Sequence, residues 1–464
     1  MAGITAYNAY IPFFRLERTR IGEALGSLGG KGTRAVASYD EDATSMAVEA
    51  ARPIAGQGGF DQLLFSTAAP PYLDKTNATA VHAALGLPEE VAAFDFGGAV
   101  RSGSGAMRAG VQMGSTLVVL SDVRTGLPGG ADERDGGDGA VAFLFGDENV
   151  IAERIGGAAA TAEFLDRWRI PGDPASRQWE ERFGEVAYVP LAQAALTDAL
   201  KKAGLTEVDH LIVTGVHPRA ARRLGATVDD LSSVIGNTGT AHRGIVLADV
   251  LDRAEPGQTI AVLTLADGAD CSILRTTDAL ASYQRKSTVR EQIEAGNTGL
   301  DYPTFLTWRG QLHREPPRRP DPTAPSAPPS FRREHWKFGF TGSRCENCGT
   351  RHLPPARVCV KCQATDQMAP ERLADVPGTI ATFTIDRLAF SLSPPTVVAV
   401  VDFDGGGRFQ CELTDVDPAT VKIGNRVEMT FRKIFTSAGV HNYFWKARPQ
   451  GRANVTEKPN QENV

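Results

Sequence analysis

No apolar run in this 464-residue chain approaches the roughly 20 residues that span a bilayer; the longest, STLVVL and TIAVLTLA, are strand-sized. A membrane-spanning helix is therefore not expected, nor is a membrane partner. Positive charge is not in excess either. Against 55 Asp and Glu stand 49 Lys and Arg, a formal charge of −6, with the arginines scattered. Nucleic acid is thus not an expected partner, because phosphate binding rests on clustered Lys and Arg. The opening MAGITAYNAYIPFF has no basic stretch ahead of an apolar one, so no secretory signal is expected and a cytoplasmic location is predicted. Cysteine is scarce: six residues, four of them between 345 and 362. That spacing belongs to a metal site and not to a disulfide framework. Cys271 and Cys411 fall in predicted strands and read as small buried apolar residues. The turn at 103–108, Gly-Ser-Gly-Ala-Met-Arg, lacks the third glycine of a dinucleotide fingerprint, which excludes a Rossmann cofactor site.

What remains is an ordinary globular composition, 42% hydrophobic and 22% charged, in a chain long enough for two or three domains. From 1 to about 278, strand-like runs (QLLFSTA, STLVVLSD, AVAFLFG, HLIVTG, TIAVLTLA) alternate with helical ones, which predicts an α/β layered sheet. The stretches GGDGAVAFLFG and LADGADCSILR share Asp-Gly-Ala running into a strand. Some 30 residues before each lies a Gly-rich turn opening a helix, DFGGAVRSGSGAM and VIGNTGTAHRG. This predicts two related halves, 1–150 and 151–278, meeting around one site. A helical stretch and a proline-rich linker are expected over 279–335, a ribbon over 336–370, a small antiparallel barrel over 371–450 and a loose polar tail over 451–464. Asp40, Glu41 and Asp42 read as the acidic first turn of a helix.

The pattern Cys345-x2-Cys348, ten residues, Cys359-x2-Cys362 supplies four thiolates to one tetrahedral Zn²⁺. All four positions are sulfur, so no site is left for water or substrate and the zinc is expected to be structural.

GSRCENCGTRHLPPARVCVKC followed by GTIATFTIDRLAF, VDFDGGGRF and NYFWKARP resembles the rubredoxin-like ribbon plus OB-fold proteins classed as domain of unknown function 35. OB folds often bind nucleic acid, but this subset resembles partners of thiolases, which implies contact with an acyl-CoA or with a thiolase partner. The amino-terminal part resembles the thiolase superfamily, most closely hydroxymethylglutaryl-CoA synthase-like proteins. The stretches that carry this are GITAYNAYIPFFRL, ASYDEDATSMAVEAAR, FSTAAPPYLDKTNA, AFDFGGAVRSGSGAMRAG, GGDGAVAFLFG and GNTGTAHRGIVLADVLDRAEPGQTIAVLTLADGAD. The resemblance implies a thiolase-like duplicated layered fold (α-β-α-β-α), a substrate held as a coenzyme A thioester, and a homodimer.

The family's chemistry is not intact. The nucleophilic cysteine at a helix amino terminus falls at Val100, and Ser102 and Ser104 lie off its register. The general acid/base glutamate of the family falls at Ala68. His217 in TGVHPRAARR is the candidate for the family's histidine, although alignment on Pro218 places Val216 there instead. Asn237 in GNTG fits the asparagine that donates to a thioester oxyanion. Tyr72 and His242 are weaker candidates, as a phenol or an imidazole could donate a proton where the glutamate is missing. Without the thiol, ping-pong acyl transfer is excluded. Aldol or retro-aldol cleavage of a β-hydroxyacyl-CoA needs only a base and enolate-stabilising donors, and thiolase-like steroid side-chain aldolases with a zinc-ribbon OB partner resemble this solution. The expected activity is a non-covalent aldolase or lyase. The alternative is a noncatalytic acyl-CoA-binding scaffold or a partner subunit of a separate thiolase or synthase.

Overall fold

The computed structural model describes residues 2–318, 320 and 322–451; the tail expected from 451 lies, beyond Gly451, outside the described residues. The chain forms two compact units. The first holds residues up to Ser38, Asp42–Thr79 and Glu89–Arg309, and the second Tyr39–Glu41, Ala80–Pro88 and the chain from Gly310.

In the first unit, strands β1 (Gly3–Tyr10), β2 (Gln62–Thr67), β3 (Ala92–Gly97), β4 (Thr116–Asp122), β5 (Gly139–Gly146), β6 (Ala152–Thr161), β7 (His210–Gly215), β8 (Thr259–Leu265) and β9 (Gly268–Thr276) pair in one sheet of order β7-β8-β9-β6-β1-β5-β4-β2-β3. The duplication is written in that order. Outward from the centre, β1, β5, β4 and β2 match β6, β9, β8 and β7: the outer pair is parallel and the inner pairs antiparallel in both halves. Both Asp-Gly-Ala segments enter equivalent strands, β5 and β9. Strands β4 and β8 are buried along their whole length, as expected of apolar runs covered on both faces. Helix α1 (Ala43–Ala55) packs on β1, β4 and β5. Helices α2 (Arg101–Met113), α3 (Glu181–Ala203), α4 (Pro218–Arg222) and α5 (His242–Leu251) complete the layers, and α5 touches strands of both halves. The core runs through Tyr7, Leu120, Phe143, Ile245 and Val262. Residues 279–309, expected with the linker, are instead woven into this unit. The Gln292 amide bonds Ile11 N and Ala9 O at 2.9 Å each, Asn297 exchanges backbone bonds with Phe13 and Arg15, and Tyr302 donates to Glu133 at 3.0 Å.

In the second unit, β10 (Thr341–Cys345), β11 (Arg351–His352) and β12 (Met368–Arg372) form the ribbon sheet. Strands β13 (Gly378–Asp386), β14 (Thr396–Phe403), β15 (Arg408–Leu413), β16 (Arg426–Ser437) and β17 (Val440–Pro449) close a barrel of order β13-β14-β15-β17-β16. This unit also carries a largely buried ionic network. Arg432 reaches Glu41 at 2.8 Å, Asp40 at 3.3 Å and Asp415 at 2.6 Å, and Lys446 reaches Asp40 at 3.0 Å and Glu412 at 2.7 Å. Asp40 and Glu41 therefore depart from the helix-first-turn expectation. Of the acidic trio only Asp42 caps α1, accepting from Ser45 N at 2.9 Å while Ser45 Oγ accepts from Asp42 N at 2.8 Å. Removing one partner of a buried ion pair strands the others without solvent. Arg432→Met is therefore expected to cost about 3–5 kcal/mol of unfolding free energy, read by denaturant unfolding followed through the barrel's Trp445. A loss below about 1 kcal/mol would show that water already screens these carboxylates.

Candidate active site and ribbon metal centre

The four ribbon sulfurs lie within 4.8 Å of one another. Cys345 and Cys362 are 3.6 Å apart and Cys348 and Cys359 3.5 Å. A tetrahedron with 2.3 Å Zn–S bonds has edges of about 3.8 Å, so the donor set fits Zn²⁺. Backbone N–H groups of Lys361 and Cys362 point at Cys359 Sγ at 3.4 and 3.5 Å, which stabilises thiolate. Gly349, directly after the first knuckle, takes φ 73°, a conformation that favours glycine.

At the strand ends of the first unit lies a cavity of about 600 Å³, within the range of small-molecule sites. Its floor is built where β3 turns into α2. Gly98 at φ 100° makes the turn, and Val100 sits at the N-cap of α2, 9% exposed and on the cavity wall. Neither nearby serine lines the cavity. Ser102 Oγ donates to Gly97 O at 2.7 Å, and Ser104 is buried against Arg243. Ala68 follows β2 and also lines the cavity. Its N–H donates to Asp122 Oδ1 at 2.7 Å, and Asp122 further accepts from Thr67 Oγ1 at 2.8 Å and Thr240 N at 2.6 Å.

The structure separates His217 from Val216. Val216 N donates to Leu265 O at 2.9 Å and its side chain lines the cavity. His217 instead caps α4, Nδ1 accepting from Ala220 N at 3.1 Å, with its ring 5.8 Å from that of Tyr188. A side chain on Gly184 would meet the His217 ring and the Asp166 carboxylate at once, so this histidine lies behind the wall. Asn237 is not on the wall either. Its Nδ2 donates to Gly215 O at 2.6 Å and its Oδ1 accepts from Gly239 N at 2.9 Å. His242, at the start of α5, is buried, its Nδ1 accepts from Thr238 N at 3.3 Å, and burial holds its pKa below the usual value. Tyr72 does line the cavity, its backbone fixed by Asn77 Oδ1 at 3.1 Å.

Other charged groups, not singled out from sequence, face the same space: Arg124, Arg167, Arg169 and Asp267. Arg167 is committed to Asp132 at 2.7 and 2.5 Å, and Arg169 donates to Ala68 O at 2.5 Å. Asp95 on the wall is tied to Asn77 and Ala78 N–H groups at 2.7 Å each. Asp267 differs. Its backbone is held, the carbonyl by the Arg101 guanidinium and the N–H by Tyr188 Oη at 3.3 Å. Its carboxylate has no hydrogen-bond or ion-pair partner among the described residues. Partial burial raises the Asp267 carboxyl above the ordinary value, with Arg101 opposing. Arg101 directly follows Val100, and Val100 and Asp267 both line this cavity. Asp267 belongs to the Asp-Gly-Ala repeat, which was the one sequence signal pointing to it.

Two family models match the second unit: ChsH2, rubredoxin-like zinc ribbon domain, over residues 339–368, and ChsH2, C-terminal OB-fold domain, over 371–432. The rest of the chain is similar to hydroxymethylglutaryl-CoA synthases. That of Archaeoglobus fulgidus is 30% identical over 347 residues, covering 67% of this chain and 99% of the relative; that of Aeropyrum pernix is 31% identical over 349 residues, covering 67% and 95%. A solved structure of MvaS in complex with 3-hydroxy-3-methylglutaryl coenzyme A shares the fold at 20% identity and TM-score 0.55, covering 70% of this chain and 94% of that one. No helix among the described residues is long and apolar enough to cross a membrane. With a relative matched almost end to end at 30% identity, the chain belongs to the hydroxymethylglutaryl-CoA synthase family, within a thiolase-like fold and joined to a zinc ribbon and an OB-fold barrel.

Proposed function

We propose that this protein breaks or forms a carbon–carbon bond in a β-hydroxyacyl-CoA without a covalent acyl-enzyme, as an aldolase or lyase, and that Asp267 is its base. The observation that carries this is that one cavity is lined both by Val100, at the expected nucleophile position, and by Asp267, whose carboxylate has no hydrogen-bond or ion-pair partner among the described residues. In the cleavage direction Asp267 takes the β-hydroxyl proton. The O–H electron pair becomes the new carbonyl, the Cα–Cβ bond breaks, and its electrons pass to Cα as a thioester enolate. A proton delivered to Cα, with Tyr72 as donor, releases the shorter acyl-CoA. The amino-terminal end of α2 favours the charge that develops on the thioester oxygen.

His217 and Asn237 then act one step back, as positioning residues. Asp166 interacts with both His217 and Tyr188, and Tyr188 holds the Asp267 backbone. Asn237 holds the Gly215 carbonyl, and with it the turn that presents Val216. Coenzyme A enters as part of the substrate, zinc as a structural ion, and a homodimer is the expected assembly.

A second reading has its own support: the positions expected to carry the family's cysteine and glutamate hold Val100 and Ala68, Val216 is the alternative position for its histidine, and all three are aliphatic and line the cavity. On that reading the chain is a noncatalytic acyl-CoA-binding scaffold or the partner of a separate thiolase. Incubating the purified protein alone with a panel of β-hydroxyacyl-CoAs, and following the esters by mass spectrometry, separates the two. Cleavage to a carbonyl compound and a shorter acyl-CoA is expected. Intact esters across the panel, with turnover only when a cysteine-bearing thiolase is added, would replace the lyase by the scaffold.

A further inference from the structure

The second unit has a cavity of its own, about 520 Å³ in volume, against one face of the ribbon sheet. Helices α6 (Ala327–Arg332) and α7 (Glu334–Lys337), which lead the chain into β10, form one side of it. Arg332, Arg333 and His335 line this side, and among the described residues no carboxylate lines the cavity at all. Glu371 lies on the opposite face of β12, one residue from the cavity-lining Pro370, and is held by Arg351 at 2.7 Å. Neither Arg332 nor Arg333 has a side-chain hydrogen bond or ion pair among the described residues. Both are exposed, and one such arginine alone holds an anion weakly. Two guanidiniums and an imidazole around one apolar concavity make a stronger site, because the low-dielectric wall focuses their field.

The rest of the wall says what the anion carries. Pro354 and Pro355, just beyond β11, and Met368 of β12 are apolar, and the prolines are stiff. Trp336 of α7 is clamped: its ring stacks on Phe340 at 5.2 Å and 23° and meets Phe409 and Phe444 edge to face at 5.4 Å each. The indole remains half-buried and lines the cavity, so a fixed aromatic surface stands beside the two guanidiniums. A small inorganic anion would leave that surface uncovered, and a neutral ring would leave the arginines unpartnered. A planar base stacks on an aromatic side chain, and a phosphate accepts paired N–H bonds from arginine. A cavity of this volume is within the range of small-molecule sites. We infer that the ribbon cavity binds a purine nucleoside phosphate, with its base against Trp336 and its phosphate on Arg332 and Arg333. Free nucleotides and the adenosine end of coenzyme A both carry that chemistry. The site is separate from the cavity of the first unit and does not rest on the reaction proposed there.

The test is calorimetric titration of the zinc-loaded, full-length protein, and of the double variant Arg332→Gln/Arg333→Gln, with adenosine monophosphate, adenosine, inorganic phosphate and uridine monophosphate. Adenosine monophosphate is expected to bind the native protein at least about 10-fold more tightly than adenosine or phosphate, the scale of one charge-assisted hydrogen-bonded pair or one stacked base. Uridine monophosphate, with a smaller ring to stack, should bind more weakly than the adenine nucleotide. The double variant should lose at least about 10-fold for adenosine monophosphate and nothing for adenosine. Its melting temperature and zinc content should not change, because both arginines are exposed. Coenzyme A added to the nucleotide-loaded native protein then separates the two sources: displacement at a lower concentration than adenosine monophosphate itself requires identifies the coenzyme's adenosine end, and failure to displace identifies the free nucleotide. Absence of binding by adenosine monophosphate, or phosphate binding as tightly as the nucleotide, would overturn the proposal. So would an affinity that survives the double variant, since the nucleotide would then sit outside this cavity.

Discussion

Stripping the metal from the four-cysteine ribbon is expected to unfold residues 339–368 while leaving the nine-stranded sheet intact. A ribbon this small has little apolar core of its own, and structural zinc contributes an apparent 10–16 kcal/mol to the folding of comparable zinc-finger peptides. Here Cys345 and Cys359 are buried and Cys348 and Cys362 partly so. Without the ion, four sulfurs packed within 4.8 Å would repel one another as thiolates or have to bind protons as thiols. The purified protein should carry about one equivalent of zinc. Treatment with a thiol-blocking mercurial in the presence of a metal indicator should release that equivalent, together with amide protection across 339–368. Hydrogen exchange in β4 and β8, the fully buried strands of the sheet, should not change. A metal-free protein with an unchanged thermal melt would show that the ribbon stands on packing alone.

The parts of this molecule that could be read from sequence are those set by local spacing. Two CxxC knuckles announce the ribbon. A repeated Asp-Gly-Ala before a strand announces the duplication, because the same turn chemistry recurs wherever β5 and β9 begin. Val100 was visible because it is counted along one continuous segment from Asp95. Which of Val216 and His217 faces the cavity was not, because both lie just beyond a strand, where Gly215 takes φ 141°. A backbone rotated there sends one of two adjacent side chains to the cavity and the other behind it, and a single sequence does not say which. Arg124 and Asp267 escaped for a different reason. What sets them apart is that their charged groups have no hydrogen-bond or ion-pair partner among the described residues, which is a property of everything packed around them. The 279–309 segment escaped because its buried apolar residues, Leu280, Val289, Leu300 and Phe305, recur with no helical or strand period, and the rest of its anchoring comes from the Gln292 side chain, the Asn297 backbone and the Tyr302 hydroxyl. Asp40 and Glu41 looked like helix-start acids because their cations, Arg432 and Lys446, are nearly 400 residues away.

Asp267→Asn is expected to lower turnover of a cleaved β-hydroxyacyl-CoA by about 10²–10⁴-fold, the usual contribution of a positioned general base, with little change in ester affinity. The pH dependence provides the sharper test. A base acts as carboxylate, and partial burial raises the Asp267 pKa. In the native protein kcat/KM should therefore rise with pH along a limb displaced above the ordinary carboxylate range near 3.9, and the residual activity of Asp267→Asn should lack that limb. Stability should move the other way. A carboxyl whose pKa is raised by folding stabilises the fold when protonated and loses that contribution as pH climbs through the folded-state value. Replacing it with neutral asparagine should thus cost nothing at neutral pH, and the melting temperature should hold or rise slightly. A merely structural Asp267 would give the opposite pattern, a lowered melt with an unaltered pH limb. The same profile weighs His217. If it acts through Asp166 and Tyr188, His217→Gln should shift the position of the Asp267 limb without abolishing it, whereas loss of the limb would mean that the histidine is itself the base.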